Sequence, residues 1–136
     1  GFRLGRSCAG QKLMHGQLLA VCPHDGEHFL MAQATWLMQE ASGGLIVGAA
    51  TLPGMPVGCG VRLVPVNGAQ NDRFVRAFML PPVPAIKEEG SLVLPSGMYQ
   101  ASRLLEVYVG GTTSQVRIMH ILHRGADFDR ISYQVL

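Results

Sequence analysis

Short apolar runs, each cut by turn-forming residues, leave this chain little room for anything but strands. Lys12 to Val21 is the first strong run, and Pro23-His24-Asp25-Gly26-Glu27 follows it with turn chemistry. Phe29 to Gln39 reads as the return strand. Gly43-Gly44 then leads directly into Leu45 to Thr51, which predicts a second hairpin. Gly58 to Val66 is a further strand, with Gly58 and Gly60 marking a bend or bulge. Beyond the polar stretch Asn67 to Asp72, the runs Phe74–Leu80, Ser91–Leu94, Arg103–Val109, Gln115–Leu122 and Asp129–Val135 complete the set. Pro81-Pro82-Val83-Pro84 cannot join a central strand and reads as an extended connector. No segment carries a convincing helical period. Many short strands with regular turns predict an all-β chain: an antiparallel barrel with a second small barrel or sheet. The boundary falls between 66 and 73, giving a first unit over 1–66 and a second over 73–136, or one continuous domain.

Composition narrows the function more than it names it. Apolar residues make up 48% and charged residues 15%, against the usual ~25% charged. That excludes disorder and points to an exposed apolar face or a neighbour. The net charge of +2 is scattered, apart from Arg3, Arg6 and Lys12 near the start. A nucleic-acid surface usually carries a concentrated basic stripe, so no nucleic-acid partner is expected. No apolar run approaches the ~18 residues that span a bilayer as a helix, so no membrane insertion is expected. The cysteines, Cys8, Cys22 and Cys59, are odd in number and lack C-x-x-C spacing. They imply a reducing, cytoplasmic setting with no disulfide framework.

The residues that carry chemistry elsewhere form no constellation here. His24 and His28 flank an Asp-Gly turn, so they do not share a helix face in the way a metalloprotease pair does. His120 and His123 are three apart, which on a strand places them on opposite faces. Asp127 and Asp129 share a face if extended, the one pairing that would suit acid/base work. No phosphate-cradling loop and no nucleophile elbow occur. An enzyme is therefore not expected, and neither cofactor nor metal is implied. Trp36, the only tryptophan, is either a core anchor or, if exposed, a stacking residue.

Gly16-Gln17-Leu18-Leu19-Ala20-Val21, Ala34-Thr35-Trp36-Leu37 and Gly44-Leu45-Ile46-Val47-Gly48 together resemble the later strands of PilZ domains. The resemblance runs from Gly16 to Leu63, about a third of the chain. It implies a barrel in the first half and a bacterial regulatory module that binds cyclic di-GMP or docks to a protein, a homodimer included. The family reads the dinucleotide with an R-x-x-x-R loop and a D/N-x-S-x-x-G strand. Neither is present; Arg3 and Arg6 are one residue too close, and Gly1 aligns as the last glycine of the second motif. The resemblance thus implies ligand-reading residues upstream, with Arg3, Arg6 and Trp36 facing the ligand in this chain. The alternatives are a degenerate PilZ-like interaction or scaffold domain, and an OB-like nucleic-acid binder, which needs a basic groove with exposed aromatics.

Overall fold

The structure, a computed structural model, describes residues 2–4, 14–22, 28–39, 41, 43–65 and 73–136, with the strand positions but not the side chains of 2–4 and 45. Ten strands are seen: β1 (Phe2–Leu4), β2 (Leu18–Val21), β3 (Leu30–Gln39), β4 (Leu45–Thr51), β5 (Val57–Leu63), β6 (Val75–Leu80), β7 (Ser91–Pro95), β8 (Leu104–Val109), β9 (Thr112–Arg124) and β10 (Phe128–Val135). They form two all-antiparallel assemblies. The first half is an open four-stranded sheet in the order β1-β4-β3-β2, and the second is a closed barrel in the order β10-β7-β6-β5-β8-β9.

The all-β expectation therefore holds, but the barrel is not where the resemblance implied. The closed unit lies in the second half, and Gly16–Thr51 supplies an open sheet. β5, which the sequence reading groups with the first half, is a stave of the barrel. It pairs with β6 from Val57 to Val61 and with β8 from Gly60 to Leu63. Both ladders run without a register shift, so Gly58 and Gly60 mark no bulge. The expected connector after β6 also contains one turn of 3-10 helix, Pro84–Ile86. A proline at the start of a helical turn sacrifices no hydrogen bond.

Local chemistry explains the turns. β8 and β9 are joined by Gly110-Gly111 alone, with Val109 opposite Thr112. Their φ values of 60° and 81° are what a two-residue hairpin turn of this hand requires. Thr112 and Thr113, which precede the run expected over Gln115–Leu122, already belong to β9. That strand is longer than its partner β10; two register shifts in their ladder take up two of its extra residues, and its start runs past the end of β10. At one of them the His120 amide donates to Ser132 Oγ at 3.0 Å, replacing a lost ladder bond.

Alternation divides the barrel's side chains into two cores. Val61, Leu92, Leu94, Leu105, Ile118 and Ile131 are among those that fill the interior. Outward residues on one flank, Leu80, Val93 and Phe128, form a second core with Met31 and Leu52 from the sheet side. The sheet thus lies against the barrel wall. Polar bonds tie the joint. Ala126 donates its amide to the Gly16 carbonyl at 2.8 Å, and Leu18 donates its amide to Asp127 Oδ1 at 2.8 Å. Gln33 donates from Nε2 to the same Gly16 carbonyl, which leaves its Oε1 to accept from His123 Nε2. Gly16 sits at φ 82°, close under Ala126, so a side chain there would meet both strain and the neighbouring turn.

Candidate binding surface

The sheet and the barrel each present a surface with recognition chemistry. On the sheet, Trp36 is 46% exposed. A register shift between Ala34 and Trp36 places it opposite Gly48, and its indole lies over that glycine in the space a Cβ would fill. One ring face is therefore backed by backbone. Register places Arg3 opposite Ile46 and Ile46 opposite Met38, two residues along β3 from Trp36. Two of the three candidate ligand residues are thus brought to one end of the sheet. Arg6 lies outside the described residues, as do Cys8, Lys12, His24 and Asn67–Asp72.

On the barrel, β5 presents glycine where other strands carry side chains. Cys59, Val61 and Leu63 pack inward, so Gly58 and Gly60 lie on the outer wall. Between β6 and β8 this leaves a trough of about 390 Å³, lined by Gly58, Gly60, Arg76, Phe78 and Tyr108 among others. Sequence reading took these glycines for a bend or bulge. The signal that reveals them is strict alternation, Gly-Cys-Gly-Val, with the small residue always on the outer face.

The titratable groups singled out from the sequence do not converge. Asp127 is in the β9–β10 turn and holds the Leu18 amide, while Asp129 is buried on β10, its Oδ1 3.4 Å from Arg124 Nε and without a hydrogen bond. His123 is half-buried against Phe128 and bonded to Gln33, whereas His120 is exposed. Among the described residues no three His, Cys, Asp or Glu side chains gather as a metal site, and no helix is long and apolar enough to cross a membrane. Burial pushes the Cys59 thiol above its ordinary value, and burial together with Cys59 does the same to Tyr133. The thiolate is the reactive form, and each unit of pKa removes it tenfold. Cys59 in the folded protein should therefore react with maleimide at neutral pH more slowly than in urea-unfolded chain, and the gap should narrow as the pH rises to where the folded thiol ionises.

One further pair went unread. Arg130 is 8% exposed and donates from Nε to Ser91 Oγ at 3.0 Å and from a terminal nitrogen to Glu88 Oε2 at 3.3 Å. It binds the β6–β7 connector to the wall.

A family model, the FimW C-terminal beta-barrel domain, matches residues 59–136, more than half of the chain. The chain belongs to this family. The FimW match begins inside β5 and runs through β10, so it coincides with the barrel the structure closes. It overlaps the stretch that resembles PilZ domains, Gly16 to Leu63, only at residues 59–63. No curated protein and no solved structure matches the chain.

Proposed function

We propose that this chain is a non-catalytic regulatory module of the bacterial cytoplasm that acts by binding. What supports this is how its ionisable side chains are used. Asp127, His123, Arg62 and Arg130 each serve as ties, to Leu18, Gln33, Glu106 and Ser91 respectively. Groups committed to structural bonds are poor shuttles for protons, whereas exposed aromatics beside cations are good recognition elements. Membership of a β-barrel domain family agrees with a module that docks.

The signal it would read is cyclic di-GMP, as its resemblance to PilZ domains implies. The sheet end that carries Arg3 and Trp36 is the place for it: an indole with one open face accepts a guanine, and a guanidinium meets phosphate or the guanine edge. Cyclic di-GMP titrated by calorimetry into the 136-residue chain, and into the chain in its full native context, should release heat. Trp36→Ala should weaken that binding by about tenfold, the size of one lost stacking contact. Absence of heat in both contexts would refute the nucleotide reading.

A further inference from the structure

The trough on the outer wall of β5 combines an empty floor with aromatic and cationic side chains. Gly60 sits opposite Arg76 on β6 and Tyr108 on β8, and Gly58 sits opposite Phe78. A Cβ added at Gly58 meets nothing within 4 Å. Glycine inside a strand weakens it, and where it persists it often marks a place where a ligand or another backbone approaches closely. Here Gly58 gives a bare floor beside Phe78, while Phe74 lies over the neighbouring outward glycine, Gly60, 3.3 Å from where its Cβ would stand.

The rim is stiff and positively charged. Phe74 and Tyr108 pack with centroids 6.0 Å apart at 48°, and the Arg62 guanidinium lies 4.1 Å above the Phe74 ring. Glu106 holds Arg62 in place at 2.7 Å and neutralises it. Arg76 lines the trough, is exposed and has no acidic partner among the described residues, whereas Arg73 lies in a neighbouring depression with Leu63 and Met98. Tyr108 is 47% exposed despite these props. The aromatics are thus oriented at little further entropic cost, as binding anchors need to be.

We infer that this trough docks an extended acidic segment of a partner protein, which lays an aromatic or proline ring over Gly58 and brings a carboxylate to Arg76. The trough lies open to solvent on the outer wall, so it admits a chain and does not enclose a small molecule. Charge complementarity selects the acidic segment. One unpaired arginine would neutralise only about one phosphate, too few for a single-stranded nucleic acid to hold at physiological salt. The inference rests on the reading of the chain as an interaction module and is independent of its nucleotide response.

The probe is a displayed library of random 12-residue peptides panned against the 136-residue protein, with recovered peptides measured by fluorescence polarisation. They should share an aromatic or proline beside Asp or Glu. Gly58→Leu, which fills the trough into open space, should weaken them at least tenfold with the melting temperature retained. Arg76→Glu, an exposed change that leaves the fold alone, should do the same, and affinity should fall as salt rises. Recovery of no peptides, of peptides without acidic residues, or of peptides that bind both variants as they bind the parent would overturn the assignment. So would a deoxythymidine 15-mer that binds the parent and is lost from both variants. Trp36→Ala should leave peptide binding intact, which separates this site from the nucleotide reading: either can fail alone.

Discussion

Phe128→Ala should cost about 3–5 kcal/mol, the largest loss expected from any single truncation in this chain. The ring is 1% exposed and sits among Leu80, Val93, Met31 and Leu52, where barrel and sheet share apolar surface. It also faces the His123 ring at 5.9 Å and covers Gly125, whose missing Cβ makes room for it. Truncation therefore removes transfer free energy and opens a cavity lined from β3, β6, β7 and the end of β4. Urea unfolding measures the total. Amide exchange locates it: the Leu18 and Ala126 amides, which bond across the joint, should lose more protection than Leu105 in the barrel interior. A loss below about 1 kcal/mol, or equal deprotection of Leu105, would show that the joint is not a core of its own.

Arg130→Met should be the next most damaging, by about 2 kcal/mol. Its guanidinium is buried and charge-assisted, and Ser91, fully buried, would be left with an unpaired hydroxyl. The Glu88 bond contributes less, because that carboxylate is 44% exposed and screened by water. A double-mutant cycle with Ser91→Ala should give a coupling of roughly 1 kcal/mol. Additive losses would instead mean that the methylene stem of Arg130, not its head group, supplies the stability.

The turns were the legible part of this fold, and closure was not. Gly43-Gly44 and Gly110-Gly111 announce hairpins because few other residues tolerate φ above zero, and Gly43, Gly110 and Gly111 do adopt it. A hairpin is a local statement. Closing the barrel needs β5 to find β8 and β10 to find β7, across long stretches of chain, and nothing in a strand's own residues names a distant partner. The barrel was accordingly expected in the first half. Arg130 was unread for a related reason. It stands on an outward position of β10, where polarity normally signals solvent, but that flank of the wall is covered by the sheet and the β6–β7 connector. Trp36 was left open between core and surface. The register shift beside it and the glycine across from it decide the matter, and both depend on which strand lies alongside.

The bond from the Leu18 amide to Asp127 has a meaning for the behaviour of this protein at high concentration. β2 ends the open sheet, and an end strand with unoccupied donors invites other chains to add to it. The Asp127 carboxylate takes up the first of those donors. It can do so only while the sheet rests on the barrel. Docking of the two halves thus doubles as a guard on the sheet's margin, and variants that loosen the joint would reveal themselves first as insoluble protein, before any loss of barrel structure is detected.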